Sequence, residues 1–121
     1  MSETQLVRGI IGALQAKGVW CWRVNSGATV IKSAKYGDRF LSGAPKGSPD
    51  IMGIVPESFG RLFGIEAKSP KGKQNPNQKA WEKRALEYGV AYGVARSISD
   101  ALGHVSAWER QAEDEAFDAG R

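Results

Sequence analysis

The chain has 121 residues with a formal net charge of +4, 41% hydrophobic and 25% charged residues, one cysteine and one histidine. That length holds one domain with a sheet and a few helices but not two, and no apolar run approaches the ~20 residues of a membrane-spanning helix. Cys21 alone excludes an internal disulfide, and with His104 as the sole histidine a zinc centre has almost no ligands, so any catalytic metal must be held mainly by oxygen, which suits Mg²⁺ or Mn²⁺.

The charge is unevenly spread. Residues 109–121 hold five acids against two bases, whereas residues 1–108 carry 15 bases against 8 acids. A basic body of this kind is compatible with binding phosphate backbones, although ordinary proteins share it. Met1 to Gln5 lacks the basic start and apolar stretch of a secretory leader, so a cytoplasmic location is expected.

Residues 3–17 read as an amphipathic helix: Ser2 and Gln5 make a capping box, Leu6, Val7, Ile10, Ile11 and Leu14 share a face, and Gly18 ends it. Val19 to Val24 is aromatic and β-branched, hence a strand, closed by the turn signal Asn25-Ser26-Gly27. From Ser26 to Ser48 only Thr29-Val30-Ile31 and Phe40-Leu41 are apolar, which reads as a long basic loop or a weak hairpin. A loop that long inside a small domain is unusual unless it is functional.

Residues 51–55 and 61–68 read as two antiparallel strands joined by the five-residue connection Pro56-Glu57-Ser58-Phe59-Gly60. After the basic loop 69–74, Asn75, Pro76 and Gln78 open a second helix that stops before Gly89, with Trp81, Ala85 and Tyr88 as its inner face. Val90 to Ala95 is a fourth strand. Ser97 and Asp100 cap a last helix carrying Ile98, Leu102, Val105 and Trp108, which continues, fraying, into an acidic tail, 109–121. The order α-β-β-β-α-β-α predicts an α/β fold, one mixed four-stranded sheet flanked by helices in a single domain, 1–108.

If the five-residue connection is centred on Ser58, Val55 faces Arg61 and Asp50 faces Glu66. Opposed positions share a sheet face with Cβ atoms ~4.5–5.5 Å apart, where like charges repel, and a divalent cation between the carboxylates removes the objection. Alternation puts Lys68 on the face of Glu66, with Phe63, Ile65 and Ala67 on the other. A connection one residue shorter or longer would turn Glu66 away. Solvated strand charges are the ordinary role of such residues, but Glu66 follows Leu62-Phe63-Gly64-Ile65, a segment apolar enough to be central, where a charge needs a reason. Glu3, on the apolar side of the first helix, is explained equally by the helix dipole and by a position facing the same site. Gln78 completes a cap with Asn75 and also lies on the inner helix face.

Gly47-Ser48-Pro49-Asp50, then Ile65-Glu66-Ala67-Lys68, then Gln78 with Trp81 in a following helix, resembles the VRR-NUC branch of the PD-(D/E)xK nuclease superfamily. The likeness runs from about Glu3 to Ser97 and includes Arg23-Val24-Asn25-Ser26-Gly27. It implies a restriction-endonuclease-like core and a metal-dependent DNA endonuclease. Asp50, Glu66, the carbonyl of Ala67 and Glu3 would hold Mg²⁺ or Mn²⁺, Lys68 would act on the attacking water, and Gln78 would support the site. Arg23, Asn25, Lys32, Lys35, Arg39, Lys46, Lys71 and Lys73 are the expected nucleic-acid contacts. Stand-alone members resemble homodimers acting on branched DNA such as four-way junctions, in the host cytoplasm if phage-encoded. Two other readings compete: a catalytically silent nucleic-acid-binding module of the same fold, and a protein adaptor working through its acidic tail. The adaptor leaves the facing carboxylates unexplained.

Overall fold

Ser2 starts the first helix as its spacing from Gln5 predicts: its hydroxyl accepts from the Gln5 amide at 3.1 Å, and the Gln5 side chain accepts from the Ser2 amide at 2.9 Å. The computed structural model describes the backbone of residues 1–25, 28–31, 34–35, 37 and 39–119, and the side chains of these residues apart from 28–31, 39–42 and 119. The elements are α1 (Glu3–Ala16), β1 (Cys21–Arg23), β2 (Ala28–Ile31), β3 (Arg39–Ser42), β4 (Ile51–Ile54), β5 (Leu62–Ala67), α2 (Pro76–Glu87), β6 (Ala91–Ala95) and α3 (Ile98–Ala119).

Four strands form one mixed sheet in the order β1-β4-β5-β6. The first two pairings are antiparallel and β5–β6 is parallel, which requires the crossover that α2 supplies. The weak segment 26–48 carries two further strands: β2 and β3 pair antiparallel as a separate two-stranded sheet, with Val30 opposite Phe40. The predicted element order therefore lacks these two strands. These two strands pair with each other as a separate sheet, so no sheet-wide pattern announces them.

One face of the main sheet is the core side. Leu6, Val7, Ile10 and Leu14 of α1 bury themselves with Ile51, Phe63 and Ile65 of the sheet and Ala101 and Val105 of α3. Ala95 and Ala101 are small enough for α3 to lie close to β6, and the Trp108 ring packs on Phe63 with centroids 5.5 Å apart. The acidic segment continues α3, which runs unbroken to Ala119 without the fraying expected after Trp108. Ala112 is buried, and Arg61 Nη1 donates to Gln111 Oε1 at 3.0 Å, so the first turns of the acidic segment are anchored to the body. Tyr88 is likewise not on the inner face of α2: it is the C-cap, one residue past the helix, and is 78% exposed. Among the described residues no helix is long and apolar enough to cross a membrane.

The β4–β5 turn sets the register. Ser58 Oγ donates to the Val55 carbonyl at 2.6 Å and accepts from the Arg61 amide at 2.9 Å, closing the connection around Ser58. Glu57 and Phe59 take positive φ of 59° and 56° to make that turn. The strands then pair Ile54 with Leu62, Gly53 with Phe63, Met52 with Gly64 and Ile51 with Ile65.

Candidate active site

Carried one residue beyond Ile51–Ile65, this register sets Asp50 opposite Glu66. Asp50 is fixed from two sides. Its carbonyl accepts from the Val24 amide at 2.8 Å, and its Oδ2 accepts from the Ala67 amide at 2.8 Å. The approach to Asp50 is built from close backbone packing. A Cβ on Gly64 would lie 2.7 Å from Pro49 Cγ, and a side chain on Gly47, whose φ is +88°, would overlap the Asn77 carbonyl at the start of α2. The Gly47-Ser48-Pro49 segment is therefore wedged between β5 and α2, and Asp50 emerges from it at one defined place.

Glu66 is 2% exposed, an unusual position for a carboxyl. It lies on the α2 side of the sheet, opposite to buried Phe63, Ile65 and Ala67. Its Oε1 accepts from Gln78 Nε2 at 3.0 Å, while its Oε2 is buried without a hydrogen-bond partner. Burial above all, then the Asp50 carboxyl, by charge and by favouring a proton between the two groups, push the Glu66 pKa from 4.5 up to about 8. The Lys68 ammonium opposes the rise, and the Glu3 carboxylate adds to it. A carboxyl in this setting holds a proton at neutral pH unless a cation takes its place.

Gln78 reaches Glu66 because it is the third residue of α2. Its side-chain oxygen accepts from the Asn75 amide at 2.9 Å, Asn75 Oδ1 accepts from the Gln78 amide at 2.9 Å, and the free end of the Gln78 amide points at Glu66. Asp50, Glu66, Lys68 and Gln78 thus converge on one sheet face. Ala67 contributes backbone: its amide points towards Asp50, and the carbonyl of a strand residue points to the same side as its amide. Glu3 stands at the rim, where its Oε1 accepts from the Ser69 amide at 3.3 Å. Among the described residues no three acidic, histidine or cysteine side chains gather closely enough to hold an ion by themselves.

Two supports were not legible in the sequence. Arg96 Nη1 donates to the carbonyls of Ser69 and Gly72 at 2.6 and 2.8 Å, pinning the loop that follows Lys68. Gln74 Nε2 donates to the Tyr92 hydroxyl at 2.9 Å and to Glu82 Oε1 at 3.2 Å, tying the end of the same loop to β6 and α2. Burial pushes the Tyr92 phenol up to about 12, so it stays neutral beside the carboxylates. An arginine after a strand and a glutamine before a helix carry no periodic signal that would single them out. Of the expected nucleic-acid contacts, Arg23, Asn25, Lys35, Lys46, Lys71 and Lys73 are exposed. Lys32 lies outside the described residues, and Arg39 is described only as β3 backbone.

No protein-family model matches the chain, and no curated protein matches it by sequence. A solved structure described as a VRR_NUC domain superposes with a TM-score of 0.58 at 17% identity, covering 86% of this chain and 94% of that one. The fold is that of a VRR_NUC domain. The match spans most of both chains, so the likeness takes in the mixed sheet with its flanking helices and is not confined to a shared βαβ unit.

Proposed function

We propose that the chain is a member of the VRR-NUC branch, a metal-dependent DNA endonuclease whose centre is Asp50, Glu66 and Lys68. The observation that carries this reading is the buried Glu66 carboxyl, with one oxygen unpartnered and a second carboxylate directly across the ladder. A fold with no use for the pair would be better served by apolar residues there. The donors fit a hard divalent cation: two carboxylates, a backbone carbonyl at Ala67 and no soft ligand, a set that suits Mg²⁺ or Mn²⁺. Glu3 adds negative charge from the rim. A bound cation would polarise the scissile phosphate and acidify a water.

The rest is the work of this chain's own groups. Lys68, which follows the end of β5 two residues after Glu66, would supply an ammonium where negative charge develops on the phosphate and orient the attacking water. Gln78 holds Glu66 in its rotamer. Arg96 fixes the loop bearing Lys71 and Lys73, whose charges meet the phosphate backbone without reading sequence. A junction-type substrate cut on two strands calls for two such centres, and a closed homodimer is the commonest way to supply them. A light-scattering mass of one 13.1 kDa chain, with and without DNA, would contradict that assembly.

The test is incubation with labelled linear, flapped, nicked and four-way DNA, with Mg²⁺, with Mn²⁺ and with chelator. Ion-dependent cleavage, fastest on a branched form, is expected. Intact DNA in every lane at saturating protein contradicts the enzyme and leaves a binding module.

A further inference from the structure

The α2-side face of the sheet is only half covered. Helix α2 lies over β5 and β6, where Trp81 meets Gly64 and Tyr92. At β1 the same face presents two exposed tryptophans, Trp20 at 72% and Trp22 at 37% exposure. Trp22 pairs with Met52, two residues from Asp50 on the same strand face, so it is the diagonal neighbour of Asp50, about 7–8 Å away across the ladder. Trp20 is bonded to the level of Ile54, since its carbonyl accepts from the Ile54 amide at 3.0 Å, and it lies one step further from the carboxylates. The rings are 5.6 Å apart and inclined at 59°, so they are tilted and not stacked on each other. A groove of about 450 Å³ opens between Trp20, Ile54 and Phe59.

We propose that Trp20 and Trp22 are a stacking platform for unpaired nucleobases of the strand whose phosphate reaches Asp50 and Glu66, an inference that rests on the nuclease reading. Three features select this occupant. The platform is continuous with the carboxylate pair on one sheet face. A cation lies near it: exposed Lys46 lies two residues after Ala44, whose amide bonds the Asn25 carbonyl. Finally, an aromatic face beside a basic track is what sequence-tolerant single-strand binding requires, since every base offers a π-face while the cations hold the phosphates. An unpaired stretch beside the scissile bond is also what distinguishes flapped DNA from a plain duplex.

The experiment is fluorescence anisotropy in chelator, so that binding is read without cleavage. The probes are a short single strand, the same strand with abasic residues at its centre, and a duplex. For the unsubstituted protein, the abasic strand should bind about tenfold more weakly than the intact one. Trp20→Ala and Trp22→Ala should each lose about tenfold on the intact strand and little on the abasic one, while Trp22→Phe, which keeps a ring, retains most of the affinity. Equal affinity of the unsubstituted protein for intact and abasic strands overturns the platform, whatever the variants do. So does unchanged DNA binding in both alanine variants, including the case where they instead lose a dimer mass in light scattering, which would assign the rings to a second copy of the chain. Failure of Mg²⁺- and Mn²⁺-dependent cleavage, by contrast, removes the nuclease reading and leaves the abasic comparison readable on its own.

Discussion

Gln78 closes the N-terminus of α2 with one end of its side-chain amide and holds Glu66 with the other, at 2.9 Å to the Asn75 amide and 3.0 Å to Glu66 Oε1. The helix start and the carboxyl are therefore one structural unit. Gln78→Glu keeps an oxygen for the cap but replaces the donor by a carboxylate facing Glu66. In chelator at pH 8 it should unfold about 1–3 kcal/mol more easily than the parent protein, by the cost of an unsatisfied or repelled charged group. Gln78→Ala loses both contacts and should also shed about 1 kcal/mol of capping. Urea titrations of the two variants check this, and a Gln78→Glu protein as stable as the parent would separate the cap from the site.

The raised pKa of Glu66 makes metal-free stability depend on pH in a definite direction. The folded protein holds a proton that the unfolded chain gives up near 4.5, and releases it only near 8. The stabilisation is therefore complete below about pH 4.5 and is lost as pH rises through about 8, on the order of a few kcal/mol in total. Urea midpoints in chelator at pH 5, 7 and 9 should fall across that window, and Glu66→Gln should flatten the fall. Added Mn²⁺ should reverse the trend, raising the melting temperature more at pH 8.5 than at pH 6, because the ion competes with the proton. A slope that survives Glu66→Gln would place the proton elsewhere.

Lys68 separates binding from chemistry. Lys68→Met keeps the stem and removes the charge, so Mn²⁺ and DNA should still bind while single-turnover cleavage slows by about 3–4 kcal/mol of barrier, the loss typical of a transition-state donor. Neutralising Lys71 and Lys73 should do the opposite, weakening DNA binding and its salt dependence while sparing the rate at saturating DNA. If Lys68→Met lost affinity and kept its saturated rate, Lys68 would be a backbone contact.

What the sequence made legible was local chemistry with a fixed period or spacing. The caps at Ser2 and Asn75, the apolar stripe of α1 and the five-residue turn centred on Ser58 each have one physical solution, and the turn alone is enough to set Asp50 against Glu66. The β2–β3 hairpin was only half legible, because two four-residue strands that pair with each other show no alternation against a core. Tyr88 was misplaced because it is the C-cap, one residue past the last helical residue, where helical periodicity no longer applies. The fraying of α3 was inferred from its acidity, whereas Ala112 and the Arg61–Gln111 hydrogen bond continue its packing through residues with no strong apolar signal. Arg96 was out of reach for a different reason: its role depends on three-dimensional proximity to the carbonyls of Ser69 and Gly72.

The central claim, that the Asp50–Glu66 pair holds a catalytic divalent cation, is tested most directly by Mn²⁺ titration and DNA cleavage measured side by side on the parent and Asp50→Asn. The substitution can keep an acceptor for the Ala67 amide, which Asp50 Oδ2 now meets at 2.8 Å, and it removes the charge facing Glu66, so the fold should be unchanged or slightly more stable without metal. The account predicts that Mn²⁺ raises the melting temperature of the parent but not of Asp50→Asn, and that ion-dependent cleavage is present in the first and absent in the second. An Asp50→Asn protein that cuts at the parental rate, or gains the same stability from Mn²⁺, would contradict it.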